Sequence, residues 1–210
     1  MNNFMKMMMR HVPNPVIQDS DIVQLVQGSA DARRALVKRA IAAGDLIRVR
    51  RGVYVLAPEW RKREVHPFVL AQHMYGPSYV SLETALQYHG WIPEAVYSVR
   101  CVSLKQTRRF STPLGDFEFI RVPQSTLYAE VARHELDQQS FLMASPLKAL
   151  ADYVYVHGHA WTHFAEACEH LRIEPGVLES VEPHTCQDLT DNYRSVRVKK
   201  FLRGLNKEMC

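Results

Sequence analysis

Residues 30–56, ADARRALVKRAIAAGDLIRVRRGVYVL, constrain the fold more than any other stretch. Ser29 is a good N-cap, and Asp31 in the first turn suits the positive end of a helix. Leu36, Val37, Ala40 and Ile41 recur at helical spacing, and Gly44 provides a C-terminal stop. The spacing therefore predicts a helix over 30–43. Two β-rich runs follow at 46–50 and 52–56, with Arg51-Gly52 between them as a tight reversal. At 100° per residue from Leu36, the apolar stripe centres near about 70°, with Arg34 near about 160°, Lys38 near about 200° and Arg39 near about 300°. Those three cations flank or occupy the outward side. Arg33 falls near about 60°, over the stripe itself, in the first turn, from where it is expected to reach past the core edge. Arg48 and Arg50 are expected to share one strand face, opposite Ile47 and Val49, with Arg51 at the hairpin tip.

A basic helix followed by a basic hairpin is the order of a recognition helix and its wing. Arginine pairs with guanine edges, and lysine or arginine with phosphate. Charge distribution supports an anionic partner for this end. Residues 1–63 carry twelve Lys or Arg against five acidic residues, a net of +7, whereas residues 64–210 carry 14 against 17. The whole-chain value of +4 averages over that asymmetry. The expected layout is a winged-helix DNA-binding domain at 1–60 and a mixed α/β domain at 61–210. A short helix starts near Ser20 or Asp21, with Ile22, Val23, Leu25 and Val26 on its apolar side. A third helix before the wing has to be short or to come from 13–18, and the methionine-rich residues 1–12 are expected to be flexible.

In the second domain, His66-Pro67 opens a helix that Gly76-Pro77 ends, and Ser81 caps another that closes at Gly90. Residues 96–104, 108–110 and 117–122 read as strands. Their short links predict an antiparallel sheet. Residues 141–144 add a further β segment. Ser145-Pro146 reads as N-cap and N1 of a helix with Leu147, Leu150, Ala151 and Val154 inward, and with Lys148 and Asp152 paired on its outer side. Helices are also expected over 161–171, with Cys168 inward, and 193–207, with Val196, Val198, Phe201, Leu202 and Leu205 as the apolar side of the latter and its basic side solvated. The fold class is α+β.

Catalytic signals are sparse. His134-Glu135 begins like a zinc-protease motif, but Gln138 stands where the second histidine belongs. His159, His163 and Glu166 could share a helix face beside His157, Cys168 and His170. Asp116 and Glu118, with Lys148, are the residue types of a Mg²⁺-dependent nuclease. No Walker lysine loop exists and no GxGxxG follows a strand. We expect no catalytic residues, no cofactor and no metal, and therefore a non-enzyme. The alternatives are a protein-interaction module and, behind it, the nuclease. The widely spaced cysteines form no CxxC pair, and neither a secretory signal nor an 18-residue apolar run occurs. A cytoplasmic protein with free thiols is expected.

Four segments together resemble the AbiEi family of bacterial antitoxins and transcriptional regulators. They are ALVKRAIAAGDLIRVRRGVYVL at 35–56, SYVSLETALQYHGWIPE at 78–94, STPLGDFEFIRV at 111–122 and ASPLKALADYVYV at 144–156. The matching positions include Ser81, Ala85, Leu86 and Gly90, then Ser145, Pro146, Lys148, Ala149, Leu150 and Asp152. The resemblance spans about residues 29–171; the abbreviated front and the tail after Glu174 depart from it. It implies an autorepressor that binds double-stranded DNA at operator inverted repeats and opposes a nucleotidyltransferase-like toxin in phage defence (abortive infection). A homodimer on DNA would fit such repeats. Carried onto this chain, the DNA contacts are Arg33, Arg34, Lys38, Arg39, Arg48, Arg50 and Arg51.

Overall fold

The computed structural model describes residues 3–12 and 14–209. It is a mixed α+β structure with helices at its N-terminal end and a six-stranded sheet in its C-terminal part.

The first helix, α1 (Asn3–His11), lies in the stretch expected to be flexible. Phe4, Met5 and Met8 are 3%, 0% and 0% exposed. Their spacing puts them on one face, and unbranched methionine fills irregular gaps in a core. Residues 16–18 form not a helix but a strand, β1 (Val16–Gln18); Pro13 and the first two residues lie outside the described residues. α2 (Asp19–Leu25) follows, and Asp21 accepts the Gln18 backbone N–H at 2.7 Å. Gln18, rather than Ser20 or Asp21, holds the N-cap position.

α3 (Ala30–Ala42) starts as expected, with Ser29 Oγ accepting the Ala32 N–H at 3.2 Å. Gly44 then takes a φ of +79°. β2 (Leu46–Arg50) and β3 (Val53–Leu56) form the hairpin, and β3 pairs antiparallel with both β1 and β2. This small sheet buries both faces, as alternation along a strand allows. Ile17, Leu46 and Leu56 pack with Met5, Met8 and Ile22 under the helices, whereas Val16, Val49, Val53 and Val55 join the core of the C-terminal part.

Beyond a 3₁₀ turn at Pro58–Trp60, α4 (Pro67–Met74) opens with proline in its first turn. β4 (Ser78–Val80), α5 (Leu82–Tyr88), β5 (Val99–Ser103), β6 (Arg108–Thr112), β7 (Gly115–Arg121), β8 (Val131–Leu136) and β9 (Gln139–Ala144) follow. The sheet order is β6-β7-β5-β4-β9-β8. It is mixed, not antiparallel, because β5 pairs parallel with β7 and β4 parallel with β9. The short links do exclude helical crossovers. The chain instead runs out to edge strand β6 and returns as β7, between β6 and β5, so β5 and β7 point the same way.

α6 (Pro146–His157), α7 (Phe164–Leu171), α8 (Pro183–Asn192) and α9 (Val196–Glu208) complete the chain. Ser145 Oγ accepts the Lys148 N–H at 3.3 Å, as its cap position predicts. Val198, Phe201, Leu202 and Leu205 are fully buried, but Val196 is 82% exposed, contrary to expectation. Val196 opens α9 two residues before buried Val198, about 200° round the helix from it and so on the outer side. Cys168 is half-buried. Cys101 and Cys168 are free thiols and Cys186 is buried; Cys210 lies outside the described residues.

Lys148 and Asp152 are not on an outer side. Both are 0% exposed, with Nζ and Oδ1 3.8 Å apart. Lys148 donates to Gln124 Oε1 and to the Tyr193 hydroxyl, the latter at 3.0 Å. Asp152 accepts from Tyr79 at 2.9 Å, Ser81 at 2.7 Å and Tyr193 at 2.6 Å. The helix has no solvated face here because every residue from Leu147 to Val154 is buried. Ser81, expected to cap α5, makes no side-chain cap bond there, its hydroxyl donating to Asp152 instead. Burial lowers the Lys148 ammonium from its ordinary range, against the opposing charge of Asp152, and raises the Tyr79 and Tyr193 phenols, a rise to which the charge of Asp152 adds.

Candidate nucleic-acid interface

α2, α3 and the β2–β3 hairpin enclose an open groove of about 750 Å³. Its floor is apolar, from Ile22 and Val23 of α2, Val37 and Ile41 of α3, and Tyr54 of β3. Its rim is cationic. Five of the seven expected DNA contacts line it, namely Arg33, Arg34, Lys38, Arg48 and Arg51. These residues come from a helix, a strand and a turn, so only the packing of α3 against the hairpin brings them together.

The five are not equivalent. Arg33 donates to the Gly28 carbonyl at 2.7 Å and the Val26 carbonyl at 3.4 Å, which fixes the α2–α3 turn. Arg34 pairs with Asp31 at 2.5 Å in full solvent, where such a pair contributes about 0–1 kcal/mol. Lys38, Arg48 and Arg51 have no ion-pair partner among the described residues. Among the described residues, Asp19 is the one acidic side chain on the groove wall. It lies under Gly52, whose φ is +79° and whose added Cβ would come within 2.9 Å of Asp19 Oδ2. Burial, followed by the charge of Asp19, raises the Tyr54 phenol above its ordinary value.

Two expected contacts lie elsewhere. Arg39 is exposed on α3 outside the groove, its Nε 3.4 Å from its own helix's Ala35 carbonyl. Arg50 turns to the C-terminal part, donating to the Met74 carbonyl of α4 and placing its guanidinium 5.6 Å from the Phe110 ring of β6. The expectation that Arg48 and Arg50 share a face fails because the register shifts between them, with Arg48 opposite Tyr54 and Arg50 opposite Val53. A bulge turns the strand and sends the two side chains apart.

The groove floor was not anticipated. Val23 is 59% exposed, although the sequence pattern placed it inward. The signal was present. Ile22, Leu25 and Val26 are spaced i, i+3, i+4 and take the inner face, which leaves Val23, about 100° round from Ile22, facing out.

The other candidate sets come together only in part: Asp116 and Glu118 line one cleft with Glu83 and Glu94, and His159 lies 5.9 Å from His157 and 4.7 Å from His170 between ring centres. Asp116 accepts from Ser111 at 2.6 Å, and Glu118 is held by Arg100 at 3.0 Å and Arg109 at 2.6 Å. Lys148, the third residue of that set, sits in the enclosed network around Asp152. His159 stacks on Trp161 at 4.0 Å, while His163 bonds Glu208 at 2.9 Å. Glu166 accepts the Thr162 and His163 backbone N–H groups, which hold its carboxyl below the usual range. Among the described residues, the His, Cys, Asp and Glu ligand atoms that converge are those of Glu130, His184 and Asp188, within 4.8 Å of one another, a set with no signature in the sequence. No described helix is long and apolar enough to cross a membrane. No protein-family model matches the chain, and no curated protein matches it.

Proposed function

We propose that residues 3–57 are a winged helix-turn-helix that binds double-stranded DNA, with α3 in the major groove and the β2–β3 hairpin as the wing. The convergence of Arg34, Lys38, Arg48 and Arg51 on one rim carries the reading. Helix and hairpin then meet one duplex, with cations for phosphate and guanidinium groups for base edges. The element order supports it too, since three helices and a strand precede or flank the hairpin as the motif requires. The resemblance to AbiEi antitoxins supports a wider role, an autorepressor opposing a nucleotidyltransferase-like toxin.

Mobility shifts with DNA from upstream of the gene, at rising salt, test the DNA reading. Lys38→Ala and Arg48→Ala should each weaken binding across sequences and reduce the salt slope by about 1. If Arg34 reads a guanine, Arg34→Ala should cost about 1–3 kcal/mol at one base position. Unchanged binding in the Arg34→Ala/Lys38→Ala double variant would remove α3 from the interface. Coexpression with a neighbouring nucleotidyltransferase tests the antitoxin role, the expected outcome being restored growth.

A further inference from the structure

We propose that the groove is also a receptor site for an amphipathic organic anion, a carboxylate on an apolar body, whose binding releases DNA. The regulatory half rests on the DNA reading above; the binding half does not. A volume of about 750 Å³ is that of a small-molecule pocket. Phosphate recognition needs cations but gains nothing from an apolar floor. This groove has both, because Ile22, Val23, Val37, Ile41 and Tyr54 line the space that the cations surround.

Val23 makes the mismatch concrete. It is 59% exposed on a helix whose Ile22 is 2% exposed. Burying such a side chain against a ligand's apolar body is favourable because it removes apolar surface from water. Lys38, Arg48 and Arg51 form no ion pair among the described residues, and their three positive charges outweigh the one carboxylate, Asp19, of the described groove lining. A neutral apolar molecule leaves that charge uncompensated, and inorganic phosphate leaves the floor wet. A molecule with an anionic head and an apolar body satisfies both. Once bound, it occupies the cations that a duplex would use.

Calorimetry on the full chain with octanoate, naphthalene-2-carboxylate, 1-octanol and inorganic phosphate tests the site. Saturable binding of a carboxylate, with octanol and phosphate at least about tenfold weaker, is expected. Preference between the first two separates an acyl chain from a fused ring. Val23→Glu changes an exposed residue and should leave the thermal melt intact while weakening carboxylate binding about tenfold or more; Arg48→Ala should weaken it as well. No saturable carboxylate binding, binding indifferent to Val23→Glu, or phosphate binding as tight as octanoate overturns the site. In fluorescence anisotropy with labelled upstream DNA, octanoate should displace the duplex from the wild-type chain. Octanoate and DNA bound together without competition overturns the regulatory half. Octanoate binding by a chain with no DNA affinity overturns the DNA reading and leaves the site standing.

Discussion

At the scale of single residues, burial decides what a charge does. Lys148 and Asp152 have the spacing of a surface pair, and the helix start at Ser145-Pro146 is legible in the sequence. Their enclosure is not, because it depends on Tyr79, Gln124 and Tyr193, which reach them from three other parts of the chain. Removing one partner of such a pair strands the other in a dry site. Lys148→Met should therefore cost about 3–5 kcal/mol in urea unfolding, where a surface pair would cost under about 1. His73 gives a pH prediction. It bonds Gln18 at 2.9 Å, and burial lowers its imidazole below the ordinary value, against the opposing charge of Asp21. Burial likewise lowers His66 and His89. Below about pH 6.5 the unfolded chain takes up protons that the folded one refuses, so stability falls as pH drops from there to the folded values. Urea midpoints at pH 7.5, 6.5 and 5.5 should decline, and His73→Gln should flatten the decline.

At the scale of elements, capping and turn chemistry were readable, while strand partners were not. Ser29, Gly44, Arg51-Gly52 and Ser145-Pro146 each mark a boundary because their preferences act over two or three residues. β4 has three residues and β8 reads as polar, so neither carries a pattern of its own; the sheet supplies it. Two glycines carry different demands. Gly52 needs its positive φ at the hairpin tip, and a Cβ there would also press on Asp19 Oδ2 at 2.9 Å, so Gly52→Ala should cost at least about 1–2 kcal/mol, lowering the melting temperature by a few degrees. Gly204 has an ordinary φ, yet a Cβ there would lie 1.8 Å from the Thr162 carbonyl oxygen. Gly204→Ala must push α9 off a backbone, and a loss of at least about 1–3 kcal/mol is expected by thermal melting. Gly176→Ala, with nothing within 4 Å, should be close to neutral and serves as the control.

At the scale of the whole molecule, the small sheet joins two cores. One face closes over α1–α3; the other, through Val16, Val49, Val53 and Val55, belongs to the C-terminal core. Arg50 adds a polar joint to α4 and β6. Arg50→Ala should leave the salt slope of DNA binding unchanged and speed proteolysis between residues 57 and 66, whereas Arg48→Ala should change the slope and not the cleavage. By itself the sequence determined the helix and hairpin of residues 30–56, the helix beginning at Ser145 and the uneven charge, because backbone preference and composition act locally. Tertiary structure alone decided which arginines share a groove, that β5 and β7 run parallel, that the methionine-rich start is a packed helix and that Lys148 is buried. Each of those depends on groups far apart in the chain, and only packing against them determines which face of an element meets water.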